Sequence, residues 1–140
     1  MGMMTGNCHC GAVRVAFETG LDPATTAPRA CDCTFCRKHG AGWASDATGR
    51  LAISAKSGSL RAYRQGSNTA DFLLCAQCGV LLAVVYEHAR GRHGAVNVSC
   101  LDAVASFAPA EWSAPQRLAP ADKVARWLQM WVPNVHIDTR

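Results

Sequence analysis

Seven of the eight cysteines in this 140-residue chain stand in three tight groups: Cys8 and Cys10; Cys31, Cys33 and Cys36; Cys75 and Cys78. Thiols one to three positions apart on a tight turn present two sulfurs to a single tetrahedral ion. A glycine directly after the second cysteine lets the backbone fold back so that its amides approach the thiolates. Gly11 and Gly79 occupy that place. A disulfide between such near neighbours would be strained or would close a very small loop. Cysteines kept only as small buried hydrophobes would have no reason to cluster. The spacings also differ from those that hold iron–sulfur clusters in ferredoxins. The expectation is zinc, held by thiolates.

Ligand number then divides the sites. A structural zinc takes four protein ligands, whereas a catalytic one keeps a position open. Two pairs make a closed four-sulfur site, for which Cys8, Cys10, Cys75 and Cys78 are the natural set. Cys31, Cys33 and Cys36 supply only three sulfurs, although spacing alone permits other pairings. An open zinc site can hold an incoming thiol as its thiolate or polarise a carbonyl. Both functions serve the joining of a thiol to an aldehyde, whose reverse is carbon–sulfur cleavage. Arg37 and Lys38 follow the triplet and could hold an anionic thiol's carboxylates, or be a solvated basic pair. His9, His39, His88 and His93 are available to supplement ligands or move protons, with His9 expected to point outward. Asn97 and Asp102 are polar candidates that also suit a turn or strand edge.

The elements expected to carry these groups are strands. Val13, Val15 and Phe17 alternate with Arg14, Ala16 and Glu18, the period of a half-buried strand. Short β-like pieces follow at residues 43–47, 51–55 and 59–64, separated by Thr48-Gly49, Ser57-Gly58 and Gly66-Ser67-Asn68, read as hairpin connections. Residues 80–86 form a continuous apolar strand and residues 95–99 another. One helix is predicted, Pro120 to Met130. Its Pro suits the first helical position, and Val124, Trp127, Leu128 and Trp131 form an i, i+3, i+4, i+7 stripe read as core packing. The fold class expected is mainly β: antiparallel sheets built around zinc knuckles, with one C-terminal helix over 119–132, in a single domain spanning 1–140.

Gly6-x-Cys8-x-Cys10-Gly11-x-Val13, Cys31-x-Cys33-x-x-Cys36-Arg37-Lys38 and Phe72-x-x-Cys75-x-x-Cys78-Gly79, in that order, resemble the glutathione-dependent formaldehyde-activating enzyme family and the related centromere protein V fold. Val98-Ser99-Cys100-Leu101-Asp102 and Phe107-Ala108-Pro109 resemble later segments of the same pattern, so the likeness covers about residues 5–112. It implies a structural zinc shared by the first and third cysteine groups and a catalytic, labile zinc on the middle one. It also implies glutathione as the thiol substrate, formaldehyde as the aldehyde, and a carbon–sulfur lyase activity of the S-(hydroxymethyl)glutathione synthase kind. Cys100 departs from the family, which carries a small non-thiol residue there. It is read as a packing residue on an alternating strand with Val96 and Val98, the alternative being a fourth ligand that closes the middle site.

Composition bounds the rest. Hydrophobic residues make up 49% and charged residues 17%, enough for a packed core. The net charge of +4 fits an anionic small molecule without requiring one. Neither recognition-helix spacing nor a basic stripe interleaved with aromatics is present, which argues against nucleic acid. The first six residues carry neither a basic nor an apolar signal region, and Gly6 breaks the myristoylation pattern. The apolar run at residues 73–86 is interrupted and too short to span a bilayer. A reducing, cytoplasmic setting is therefore expected. A noncatalytic zinc-stabilised protein-binding module is the competing class.

Overall fold

The computed structural model describes residues 1–89 and 91–140. In chain order its elements are β1 (Gly2–Asn7), β2 (Val13–Thr19), β3 (Arg29–Cys31), α1 (Thr34–His39), β4 (Trp43–Ala44), β5 (Arg50–Ala55), β6 (Leu60–Tyr63) and β7 (Asp71–Cys75), followed by β8 (Leu81–His88), β9 (Gly91–Asn97), β10 (Glu111–Ser113), α2 (Pro120–Met130) and β11 (His136–Thr139). They form a four-stranded sheet, β1-β2-β5-β11, and a seven-stranded sheet, β10-β3-β4-β9-β8-β7-β6. The chain is mostly strand, as its alternation predicts. Two details differ from an all-antiparallel expectation. β11 runs parallel to β5 and β10 parallel to β3, so both sheets are mixed.

The packing explains the sequence patterns. Val13, Val15 and Phe17 of β2 face inward with Leu51 and Ile53 of β5, meeting Leu82, Val85 and Val96 of the other sheet. β8 has no exposed apolar face. Val85 joins that core, while Leu81 and Val84 join a second cluster containing Cys31, Cys36, Trp43, Leu74 and Trp131. A strand buried on both sides reads as a continuous apolar run, which is what residues 80–86 are. The second cluster is the floor on which the cysteine triplet rests.

Two of the three turns read as hairpins are not hairpins. Residues 45–49 and 56–59 carry the chain from one sheet to the other, because β5 lies in the four-stranded sheet while β4 and β6 lie in the seven-stranded one. Glycine and serine mark a change of direction there without fixing which strands pair. Only the Gly66-Ser67-Asn68 turn joins a paired couple, β6 and β7.

Close backbone approach locks the amino end into place. An added Cβ on Gly6 would lie 1.9 Å from the Cys100 carbonyl oxygen, and Gly6 bridges Leu101. At the other side of β2, Asp46 accepts from the Thr19 hydroxyl at 2.6 Å and from the Thr48 and Gly20 amides. The Thr19 hydroxyl bond leads in holding the Asp46 carboxyl below the usual range, outweighing desolvation. A carboxyl whose pKa is lowered by folding adds stability above its unfolded pKa and loses it as pH falls through the folded value. Asp46→Asn should therefore cost about 1 kcal/mol at pH 7. The gap to the parent should close in urea melts taken in strong acid.

Candidate functional site

Two knuckles build the first sulfur group. Cys8 and Cys10 follow β1, and Gly11 turns the chain at φ +83° with its amide on the Cys8 carbonyl. Cys75 ends β7, and Gly79 turns at φ +79° with its amide on the Cys75 carbonyl. In both, an amide reaches a sulfur: Val13 N donates to Cys8 Sγ at 3.3 Å and Cys78 N to Cys75 Sγ at 3.5 Å. All four sulfurs lie within 4.8 Å of one another, with Cys8 to Cys10 at 3.7 Å and Cys10 to Cys75 at 3.6 Å. Sulfurs about 2.3 Å from a tetrahedral zinc stand about 3.8 Å apart. The donor set and its spacing thus fit zinc. None of the eight cysteines forms a disulfide.

The second group is Cys31, Cys33 and Cys36, again with sulfurs within 4.8 Å. Cys31 ends β3. Cys33 caps α1, its sulfur accepting from Cys36 N at 3.4 Å, and buried Cys36 lies inside the helix. A six-residue helix with cysteines at its cap and third position was hidden in the sequence by the cysteine spacing itself. Gly40 ends it in the left-handed conformation. The sulfurs share protons unevenly. A hydrogen bond from the Cys36 thiol, together with Cys33 contacts, outweighs burial and brings Cys31 down to about 6. The same bond, then burial and repulsion by Cys31, pushes Cys36 up. Thiols that stabilise a neighbouring thiolate suit a trio that binds a cation.

Two cavities flank this triplet. The smaller, about 110 Å³, is floored by all three cysteines and walled by Trp43, Phe72, Trp127 and Trp131. The larger, about 390 Å³, touches Cys31 and Cys36 and is bordered by Arg37, Phe107 and Trp112. Arg37 and Lys38 are both exposed on α1, Arg37 at the larger cavity and Lys38 at neither. Sequence reasoning missed Arg29, Lys123 and Arg126, which line the smaller one. Burial, then the nearby Arg126 charge, lowers the Arg29 pKa from its ordinary value. The helical stripe is both packing and lining. Trp127 stacks on Trp131 at 4.6 Å between ring centres and packs on the second core, yet faces the cavity.

The remaining candidates have other tasks. Asn97 is buried, donates to the Leu81 carbonyl at 2.9 Å and accepts from the Gly42 and Ser99 amides, pinning the loop after α1 to the end of β9. Asp102 accepts from Thr5. His9 and His39 are exposed, and none of the histidines joins a sulfur group among the described residues. Cys100 lies in a 3-10 turn over Val98–Cys100, not on an alternating strand, because Asn97 ends the strand by capping that turn. It is buried, its Sγ 3.0 Å from the Asn97 carbonyl, and belongs to neither sulfur group. Burial pushes its thiol up to about 12. Cys100→Ser should cost about 1 kcal/mol and leave the zinc content of purified protein unchanged. Loss of one zinc would make it a ligand.

Residues 3–115 match the sequence profile described as glutathione-dependent formaldehyde-activating enzyme. Among solved structures, a crystal structure of a Rhodobacter sphaeroides protein is similar, with 30% sequence identity and a TM-score of 0.59. The match covers 79% of this chain and 100% of that one. Among the described residues no helix is long and apolar enough to cross a membrane.

Proposed function

The chain belongs to the glutathione-dependent formaldehyde-activating enzyme family, and from that premise we propose that it is a carbon–sulfur lyase acting on thiol–aldehyde adducts. In the synthetic direction a bond forms between the thiol sulfur and the aldehyde carbon. The thiol proton ends on the former carbonyl oxygen, and no electrons are exchanged with a third party. The observation that carries this reading is the convergence of three cysteine sulfurs, and among the described residues only three, on the floor of an open cavity.

Cys8, Cys10, Cys75 and Cys78 would hold a structural zinc, and Cys31, Cys33 and Cys36 a catalytic one with a free position. Bound there, zinc favours thiolate over thiol and polarises a carbonyl. The chain's own groups supply the remainder. Cys33 and Cys36 are fixed by α1, and Gln65 Nε2 approaches Cys33 Sγ at 3.8 Å, so the trio is held before substrate arrives. Arg37 at the larger cavity is placed to take a carboxylate of glutathione. The aromatic walls leave little polar surface to hold water beside the sulfurs, where it would compete with the thiol for the aldehyde. No imidazole or carboxylate lines the smaller cavity among the described residues, so protons exchange with solvent at its mouth. Closure of the middle site by a fourth protein ligand would favour a noncatalytic module, but Cys100 lies outside the trio.

Exchange spectroscopy on glutathione and isotopically labelled formaldehyde tests the reading. The zinc-loaded protein should speed adduct exchange above the buffer rate, and the first zinc withdrawn by a chelator should take the acceleration with it. Exchange no faster than in buffer would sink the proposal.

A further inference from the structure

If the triplet is the reacting centre, the cavity beside it is lined for more than formaldehyde can use. Arg29 and Cys31 are two apart on β3, so their side chains share one face with Cα atoms about 6.6 Å apart. Ala30, between them, faces the larger cavity instead. Lys123 and Arg126 are three apart on α2 and reach the same cavity from the opposite wall. Among the described residues the lining contains these three cations and no carboxylate, and none of the three takes part in an ion pair. Their nearest partners are neutral: Arg29 donates to Ser45 Oγ at 2.8 Å, Arg126 to Met130 Sδ at 3.3 Å and Lys123 to Ser67 Oγ at 3.5 Å. Like charges gathered against tryptophan and phenylalanine are unfavourable until an anion joins them.

The lining therefore combines sulfurs, aromatic walls and three cations around one cavity. We propose that this cavity binds the aldehyde half of the adduct and selects an oxo-acid, an aldehyde whose short apolar stem ends in a carboxylate. Arg29 and Cys31 on one face of β3 put a cation and a sulfur on the same wall, which suits a short stem. The cavity volume of about 110 Å³ favours a small aldehyde half. Glutathione would enter from the larger cavity beside Arg37, leaving the cation cluster to the aldehyde. The carbon–sulfur bond forms as before, with the carboxylate a spectator. Lys123, Arg126 and Trp127 all lie beyond the 3–115 segment that matches the family, so this selectivity belongs to the chain's own extension.

The inference rests on the catalytic reading, and calorimetry on zinc-loaded protein separates the two. The probes are stable thioethers: S-methylglutathione, S-propylglutathione and S-(2-carboxyethyl)glutathione, the last two sharing a three-carbon chain and differing in the carboxylate. The carboxyethyl compound should bind on the order of 10- to 100-fold more tightly than the propyl one. Arg126→Gln, on the surface of α2, should bring that ratio to within about threefold, and Arg126→Lys should restore part of it. Equal binding of the two compounds in the parent, or a ratio unmoved by Arg126→Gln, overturns the proposal. So does uniform weakening of all three thioethers in Arg126→Gln, which would assign the cations to glutathione itself. Failure of every thioether to bind, with no acceleration of formaldehyde exchange, overturns the catalytic reading together with the inference.

Discussion

Cys75→Ala should lose one zinc and melt at least 10 °C below the parent, or fail to accumulate as folded protein. Cys75 is fully buried in the core between the sheets and ends β7, while its partners Cys8 and Cys10 follow β1. The four-sulfur group therefore ties a knuckle of the four-stranded sheet to a knuckle of the seven-stranded one. Removing one sulfur leaves three crowded thiols, Cys8 and Cys10 only 3.7 Å apart, with no ion to favour their thiolate forms. Structural zinc in small peptides contributes about 10–16 kcal/mol, comparable to the whole stability of a domain. A loss of even 4 kcal/mol corresponds to a fall of about 10 °C or more in a chain of this length. Zinc content by emission spectroscopy and thermal melts by circular dichroism give the answer. An unchanged melting temperature would show that this group does not hold the fold.

Cys33→Ser should abolish thiol–aldehyde exchange and leave the fold nearly untouched. Cys33 is the N-cap of α1, where its sulfur accepts from Cys36 N. Serine accepts in the same place and is among the preferred caps, so α1 keeps its first turn. Cys33 is only partly buried, and its loss opens little cavity. What disappears is one of three sulfurs, leaving two, too few to retain zinc in an open site. The expected pattern is one zinc instead of two, a melting temperature within about 3 °C of the parent, and exchange at the buffer rate. Full exchange with a single zinc would show that the trio is not the reacting centre. The contrast with Cys75→Ala is the informative result, since one cysteine group should govern folding and the other turnover.

The chemistry was more legible in the sequence than its surroundings. Cysteine spacing and the following glycines marked the knuckles, because a knuckle is local and its requirements are written within four residues. The division into a set of four and a set of three rested on ligand number and the family resemblance, since tertiary packing decides which clusters meet. The helix Pro120–Met130 and strand β2 were legible for the same reason, through a proline start and a period of two. β1 was not, since Gly-Met-Met-Thr-Gly-Asn has no strand pattern and is ordered by pairing with β2 and by the Gly6–Leu101 approach. β11 is four residues long and exists because β5 offers it an edge. Turns at residues 48–49 and 57–58 marked where the chain bends but not which sheet it enters. Arg29, Trp43 and Arg126 come from three distant stretches, and only tertiary packing sets them around one cavity. Arg37 and Lys38 stood out by adjacency to the triplet, yet a helix turns neighbouring residues to different sides.

The wide separation of the two knuckles gives assembly an order. Cys10 and Cys75 are 65 positions apart, so an ion joining them closes a ring of chain. Holding a ring of that size costs an unlinked chain about 4 kcal/mol in entropy, which metal capture offsets in one event. Each knuckle forms locally, but two sulfurs are too few to retain an ion, so capture waits until the two knuckles meet. Cys31, Cys33, Cys36 and α1 lie inside the ring, whereas α2 and β11 lie outside it. A chain made without zinc would lack this closure, and a later supply of the ion would have to draw the two knuckles together first.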